Sequence, residues 1–180
     1  MIGSAGSGKT TVATELARAL GCDHIELDAI FHQPGWTHPE PEAFRRQVQA
    51  ALSAPAWVAD GNYSAVRDLV WQKADTVICL DFPRPVVMYR LIRRSLRRAY
   101  RQTELWNGNR ESFANLFSLN PDRSIIAWSF SRHALYRRRY ADATVDPQWS
   151  GVQFIALQSS TQVTQFLINA QRFAERGGAT

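Results

Sequence analysis

Cysteine, long apolar runs and a secretion leader are scarce or missing in this sequence. Its 180 residues include only two cysteines, Cys22 and Cys79, which form no disulfide framework and are expected to be reduced thiols. The longest apolar runs, such as residues 76–80, are far shorter than the roughly 20 residues that a membrane-spanning helix needs. No basic-then-apolar leader opens the printed sequence. These absences predict a cytoplasmic protein that does not enter the membrane.

Lysine is also nearly absent, and the basic residues are unevenly distributed. Lys9 and Lys73 are the two lysines, and every other basic side chain is an arginine. Residues 84–139 contain thirteen arginines against three acidic residues, in a chain whose net charge is only +5. Such a segment indicates a polyanionic partner, either the phosphates of a nucleotide or a nucleic acid.

The order of apolar segments predicts an α/β fold in a single domain over residues 1–180. Hydrophobic residues make up 45% of the chain and charged residues 21%, which are ordinary values for a globular domain. Short apolar runs end at Asp28, Asp60 and Asp81, and segments with a helical spacing of apolar residues lie between them. Strands that alternate with helices are typical of a parallel sheet. The helix expected after Pro85 has a predicted apolar stripe of Met88, Ile92, Leu96 and Ala99.

Residues 3–10 form a complete phosphate-binding loop. Their sequence matches the pattern G-x-x-x-x-G-K-[ST] at every position, and an amphipathic helix follows. Glycines let backbone N–H groups surround a phosphate, and the helix directs its positive N-terminal end at the same anion. Lys9 is expected to reach the β- and γ-phosphates of ATP, and the Thr10 hydroxyl to bind Mg²⁺. The predicted ATP-binding residues in this segment are Gly3, Ser4, Ala5, Gly6, Ser7, Gly8, Lys9, Thr10 and Thr11.

The strand that normally leads into such a loop is very short here. Only Met1 and Ile2 precede Gly3, although that strand lies in the middle of the sheet in phosphate-loop folds. Without it, the neighbouring strands would leave backbone groups unpaired in the core. We therefore expect a few apolar residues before Met1 in the cell, the alternative being a functional short form.

Several classes of phosphate-loop protein do not fit the rest of the chain. It contains neither the N-K-x-D motif of GTPases nor an ABC-type signature. Asp81 ends an apolar run, as a magnesium-binding acid does, and is predicted to bind Mg²⁺ together with Thr10. Phe82 follows it, at the position where motor ATPases usually have a glutamate that activates water. The sequence therefore favours phosphate transfer to a bound substrate over hydrolysis.

A row of arginines supports the same interpretation. Arg90, Arg94, Arg97 and Arg101 recur at helical spacing and predict a row of positive charge on one helix face. Like charges at this spacing destabilise a helix, so a polyanion that neutralises them in the working state explains the row best. Phosphoryl transfer needs such cationic groups around the moving charge. A merely solvated face is the alternative.

Several segments together resemble small adenylate-kinase-like P-loop kinases, of the subgroup labelled DNA topology modulation or FlaR-related proteins. They are the phosphate loop and residues 24–28, 31–36, 57–64 and 78–84, so the resemblance covers most of the chain to about Arg110. It implies a P-loop NTPase fold with a five-stranded parallel sheet flanked by helices. It also implies ATP and Mg²⁺ as cofactors, an acceptor-binding region at about residues 29–55 and an arginine-rich lid at about residues 100–120.

The resemblance assigns roles to single residues. Asp28 resembles the acid that orients or deprotonates the acceptor hydroxyl in small-molecule kinases, although a turn cap is its structural alternative. Arg94, Arg97 and Arg101 fall where arginines near the lid lie, and Arg110 lies where it could close over the phosphates. The expected catalytic residues are Lys9, Asp28, Arg94, Arg97 and Arg110, and Arg101 is expected to contact ATP.

One departure from these kinases concerns the acceptor. Residues 60–61 resemble the Asp-Gly of nucleoside monophosphate kinases, but residues 62–63 are Asn-Tyr where an arginine closely follows in those enzymes. Arg67 is the possible substitute, and the departure argues against AMP as the acceptor. His32 and His38 lie in the acceptor-binding region as candidates for substrate contact, and the histidines show no metal-binding spacing.

The sequence therefore predicts an ATP- and Mg²⁺-dependent phosphotransferase that acts on a nucleotide-like or other small acceptor. The alternative is a nucleotide-dependent DNA-binding regulator that uses the basic segment 84–139, where Tyr100 and Trp106 add aromatic rings. Trp106 either stacks on a base or packs the lid. A plain ATPase lacks a candidate glutamate.

Overall fold

The structure is a computed structural model, which describes residues 1–110 and 124–177. The strands in these ranges are β1 (Ile2–Gly3), β2 (Asp23–Glu26), β3 (Trp57–Asp60), β4 (Thr76–Leu80) and β5 (Gln153–Leu157). The helices are α1 (Lys9–Leu20), α2 (Leu27–Phe31), α3 (Pro41–Ala51), α4 (Arg67–Lys73), α5 (Arg84–Arg101), α6 (Ile125–Thr144) and α7 (Ser160–Gly177). Strands alternate with helices along the chain, which confirms the predicted α/β fold.

All the strand pairs are parallel, but the strands form two sheets where one sheet of five was expected. β4 lies between β1 and β5, and β2 pairs with β3 with Glu26 opposite Asp60. The sheets meet at Met1, whose carbonyl accepts the Gly61 N–H at 3.2 Å and whose amino group donates to the Ala59 carbonyl. β1 contains only two residues, and no ladder pairs it with β3 in the described residues.

A cavity extends between β3 and β4 beside this junction. Its lining includes Trp57 on β3, Val77 on β4 and Tyr140 on α6. The cavity therefore lies where the strand pairing between the two sheets is interrupted. The expectation that a few apolar residues precede Met1 is not tested by this cavity and stays a prediction.

Two apolar cores position the strand ends. In the first, Ala13, Leu16 and Ala17 of α1 share one apolar cluster with Val58 of β3 and with residues of β4, whose positions from Val77 to Leu80 are all buried. Such a run is expected for a parallel strand that is covered on both faces. In the second core, Phe44 and other residues of α3 pack on the sheet of β2 and β3. Parallel strands bring their carboxyl ends to one edge, and the predicted acids follow those ends.

The buried face of α5 differs from the predicted stripe. The helix buries Val87, Leu91, Ser95 and Ala99, whereas Ile92 and Leu96 are more than one-third exposed. Of the predicted stripe only Ala99 is buried. The observed face includes a serine, so apolar spacing alone selected the wrong side of the helix. With this face of α5 buried, Arg94 is half-buried, whereas Arg97 and Arg101 are exposed.

Candidate phosphoryl-transfer site

The phosphate loop joins β1 to α1 and lies directly against α5. Gly6 and Gly8 have φ values of 86° and 95°, which side chains rarely adopt. A Cβ atom at Gly6 would also lie 2.8 Å from the Cβ of Leu91 and would meet the carbonyl oxygen of Val87. Glycine is therefore required at position 6 both by its conformation and by the close approach of the helix.

The loop has the features of an anion cradle. The hydroxyl of Ser7 is buried and has no hydrogen-bond partner among the described residues. The first turn of α1 receives no side-chain cap, because its N-cap residue is Gly8. Buried polar groups normally have partners, and helix N-termini attract anions. The loop residues therefore fit the phosphates of ATP, with Thr11 exposed on the first turn of α1.

Lys9 lies where the predicted catalytic groups converge. Its ammonium group donates a hydrogen bond to the Ser4 carbonyl at 3.3 Å. Burial is the main cause that lowers the pKa of Lys9. The nearby carboxylates of Asp28 and Asp60 oppose this shift, and the positive charge of Arg94 adds to it. The structure thus brings together three of the predicted catalytic residues, with Asp60 as an additional acid.

Asp60 lies in a ring of hydrogen bonds at the end of β3. This carboxylate is only 3% exposed; it accepts the Thr10 hydroxyl at 2.8 Å and contacts the Nε2 atom of His24 at 3.0 Å. The Nδ1 atom of His24 lies 3.3 Å from the Thr14 hydroxyl, which donates to the Thr10 carbonyl at 2.8 Å. Because an ionised carboxylate only accepts, the Nε2 atom of His24 must carry a proton. His24 therefore fixes one oxygen of Asp60 and leaves the other facing Thr10.

Asp81, the predicted magnesium-binding acid, has different partners. Its carboxylate lies 2.7 Å from the Nε atom of Arg137 and accepts a hydrogen bond from Gln158 at 3.2 Å. The Thr10 hydroxyl points instead to Asp60. The oxygen donors of Thr10 and Asp60 suit Mg²⁺, which takes few protein ligands and completes its shell with phosphate oxygens and water. The described residues contain no group of three or more His, Cys, Asp or Glu that could hold a metal.

Asp28 lies in the first turn of α2 and has a buried donor beside it. The Tyr63 hydroxyl donates to one oxygen of Asp28 at 2.6 Å. Burial and the charge of Asp28 both raise the pKa of Tyr63, so this side chain stays a protonated donor. Burial also raises the pKa of Glu26, two residues earlier, while a hydrogen bond from Trp106 opposes the rise. One oxygen of Asp28 is thus held by Tyr63, and the hydrogen bonds among the described residues do not include the other.

The arginine row divides into inner and outer members. Arg94 is half-buried and acts on the charge of Lys9, whereas Arg97 and Arg101 are exposed. Arg90 donates to the Ser160 hydroxyl at 2.9 Å, and its guanidinium lies 4.5 Å from the centre of the Phe82 ring. Arg94 is therefore the member of the row that the structure brings to the phosphate loop.

The start of the predicted lid contacts the acceptor-binding region. Residues 104–110 form a hairpin, closed by a bridge between Glu104 and Arg110, and we call this segment the hairpin. In it, Asn107 donates to the His32 carbonyl at 2.6 Å, and Asn109 donates to the Gln33 carbonyl at 2.9 Å. Arg110 is exposed, 3.8 Å from Glu104. Lid residues 111–120 lie outside the described residues.

The site includes residues that sequence reasoning did not select. Asp60 was one of three acids that end apolar runs, and the runs alone could not show which acid faces Thr10. Tyr63 appeared only as a departure from related kinases, yet it holds Asp28. His24 has no motif around it, and only the pairing of β2 with β3 brings it to Asp60.

Comparisons with known proteins agree with a phosphate-loop domain of kinase type. Shikimate kinase 2 from Dickeya chrysanthemi is 43% identical over 63 residues. That match covers 31% of this chain and spans 36% of the relative's length. Within the described residues, no helix has the length and apolarity to cross a bilayer. A family model described as an AAA domain matches residues 1–139, and the chain belongs to this family.

Proposed function

We propose that this protein transfers the γ-phosphate of ATP to a hydroxyl group of a small acceptor. The observation that carries the proposal is a complete phosphate loop whose Lys9 ammonium lies 3.3 Å from the Ser4 carbonyl and close enough to Asp28 and Arg94 for their charges to affect its pKa. A kinase needs an anion cradle, cations around the moving phosphate and an acid next to the acceptor. The match to a shikimate kinase supports the same reaction type.

Each residue has a part in the proposed reaction. The acceptor O–H bond breaks and its proton passes to Asp28, while the acceptor oxygen bonds to the γ-phosphorus. The bond from that phosphorus to the bridging oxygen breaks, which releases ADP. Lys9 and Arg94 stabilise the charge that spreads over the transferring group. Tyr63 keeps Asp28 oriented through its hydrogen bond.

Mg²⁺ belongs to this proposal together with ATP. Thr10 and Asp60 are the residues that would hold the ion, directly or through water, and ATP would bind along residues 3–11. When bound, the ion neutralises charge on the phosphate oxygens. We also propose a cytoplasmic location, because Cys22 and Cys79 are free thiols.

The experiment that tests the proposal compares the two lysines. Lys9→Ala should weaken ATP binding at least about tenfold and abolish ATP consumption in a screen of nucleotides, nucleosides and small alcohols. Lys73→Ala is the matched control, because Lys73 lies on α4 and donates to the Leu52 carbonyl. Titration calorimetry gives the ATP affinities. Equal affinity and turnover in the wild type and Lys9→Ala would refute the phosphate-loop assignment.

A second candidate function is nucleotide-dependent DNA binding, the role that the subgroup label suggests. The exposed arginines of α5 and α6, with Tyr100 82% exposed among them, form a basic surface that favours it. Binding to a DNA backbone would weaken steeply as salt rises, and Arg97→Ala would lower the salt slope by about one unit. A mutant with weakened DNA binding and normal ATP turnover would favour this candidate over the kinase.

A further inference from the structure

We infer that the phosphate acceptor is an uncharged polyhydroxyl compound, a sugar or a nucleoside, and not a nucleoside monophosphate or a carboxylic acid. The inference rests on the proposed function, because it names the class of molecule whose hydroxyl Asp28 would deprotonate. Three observations carry it: the negative charges beside the transfer point, the engagement of the acceptor-side arginines elsewhere, and the rings around residues 31–38.

Negative charge surrounds the place where the acceptor hydroxyl must lie. The acid that ends β2 is Glu26, and Asp60 lies opposite it at the end of β3. Asp28 lies two residues after Glu26. The pKa of Glu26 is raised mainly by burial and further by repulsion from the two aspartates. The cations at this point, Lys9 and Arg94, lie at the phosphate loop, where ATP would use them. A second anion on the acceptor would therefore meet the carboxylates of Asp28 and Glu26, whereas Asp60 serves Mg²⁺ in the proposed function.

The described arginines of the acceptor side are engaged elsewhere or face away. Arg45 forms a two-pronged pair with Asp68, at 2.9 and 2.7 Å. The Arg67 guanidinium lies 5.6 Å from the centre of the Trp71 ring, in the cavity between β3 and β4. Arg46 is exposed on α3, two residues from the buried Phe44 and so on the opposite side of the helix.

Asn62 is engaged as well, at the position where related kinases have an arginine. Its side-chain amide donates to the Gly3 carbonyl at 2.6 Å, and its oxygen accepts the Gly3 N–H at 3.2 Å. Asn62 therefore joins β3 to the phosphate loop. It offers no positive charge to an acceptor phosphate or carboxylate.

The surfaces around Asp28 suit a ring that carries hydroxyl groups. Phe31 contacts Tyr63 with ring centres 4.6 Å apart, and Trp106 of the hairpin stacks on His32 at 5.4 Å. Burial lowers the pKa of His32, which therefore stays neutral near pH 7. Its Nδ1 atom is buried without a hydrogen-bond partner among the described residues, so a substrate hydroxyl can pair with it. Rings, carboxylates and a neutral histidine bind sugar hydroxyls without needing a charge on the ligand.

The test uses pairs of compounds that differ by one anionic group. The pairs are adenosine and AMP, glucitol and gluconate, and methyl shikimate and shikimate. Binding is measured by calorimetry on the full chain with Mg²⁺ and a non-hydrolysable ATP analogue, and ADP release is measured with ATP. In at least one pair the neutral member should bind and react at least about tenfold better than the anion. Adenosine and glucitol distinguish a nucleoside from a sugar acceptor.

Glu26→Gln shows whether the acids cause this preference. The variant should reduce the discrimination between neutral and anionic members several-fold. Glu15→Gln removes the same charge from the exposed face of α1, outside the acceptor-binding region, and should leave the discrimination unchanged. A shift in Glu15→Gln equal to that in Glu26→Gln would overturn the inference.

Two further outcomes separate the inference from the proposed function. An anionic member that reacts as well as or better than its neutral partner overturns the inference and leaves the kinase standing. If no member of any pair binds, the inference is overturned too. ATP binding that is equal in the wild type and Lys9→Ala refutes the proposed function, whatever the acceptors do.

Discussion

The exchange of Asp60 for asparagine tests which acid serves the metal. Asp60 is almost fully buried and contacts two polar side chains, Thr10 at 2.8 Å and His24 at 3.0 Å. Asparagine keeps the shape but loses the charge, and it turns one acceptor oxygen into a donor. Hydrogen bonds to a charged group contribute about 1.5–3 kcal/mol each, and one of the two is expected to be lost outright. A loss of about 3 kcal/mol corresponds to a factor of about 10² in a binding or rate constant.

Asp81→Asn is the matched control, because it removes the same charge at the end of the next strand. Asp81 is 11% exposed and pairs with Arg137, which is more than half exposed and lies away from the Thr10 hydroxyl. The change at Asp81 should therefore leave metal binding within about threefold of the wild type. Asp60→Asn should weaken Mn²⁺ binding in the presence of an ATP analogue by about 10²-fold.

The assay is electron paramagnetic resonance of Mn²⁺ with thermal unfolding of each variant, so that a folding defect is separated from a metal defect. Thr10→Val should lose metal affinity as Asp60→Asn does, whereas Thr10→Ser keeps the hydroxyl and should restore it. The reasoning would be refuted if Asp81→Asn lost metal binding while Asp60→Asn retained it.

Three further changes probe the transfer site, its acidic side and the loop. Arg94→Ala should lower turnover by about 10²-fold, whereas the change of the exposed Arg97 to alanine should lower it by less than about twofold. Steady-state kinetics with the best acceptor measures both. Equal losses would contradict the division of the arginine row into inner and outer members. Burial raises the pKa of Glu26, so the stability of the folded protein falls as pH rises through the range from its ordinary pKa to the raised value. Glu26→Gln should accordingly raise the melting temperature at about pH 8, where Glu26 is ionised at a cost, and leave it unchanged below about pH 4. Equal gains at both pH values would contradict ionisation of Glu26 as the cause. Gly6→Ala should destabilise the protein by about 1–3 kcal/mol in urea unfolding, whereas an unchanged midpoint would contradict the close packing on α5.

The local parts of the fold and site were predictable from the sequence. The phosphate loop has one continuous motif, and the apolar run that becomes β4 indicates a buried parallel strand without any knowledge of its neighbours. Asp28 could be selected because it follows a strand, and its hydroxyl partner Tyr63 was already part of the segment compared with related kinases.

What could not be predicted depends on contacts between distant segments. The inward face of α5 is set by its approach to Gly6, and this approach places Ser95 in the interior while Ile92 is left partly exposed. The Thr10 hydroxyl contacts Asp60, and the pairing of β2 with β3 carries His24 to the same carboxylate. Spacing along one helix or one strand contains no information about such partners.

The contact between Gly6 and α5 also limits how the molecule can open and close. With no space between the loop and the Leu91 turn, the phosphate cradle and the arginine-bearing helix form one rigid body. α5 continues to Arg101 and ends at Gln102, whose φ of 48° turns the chain toward the hairpin. Any movement of the hairpin relative to the phosphate loop would therefore pivot beyond Arg101, and Arg94 would stay with the loop.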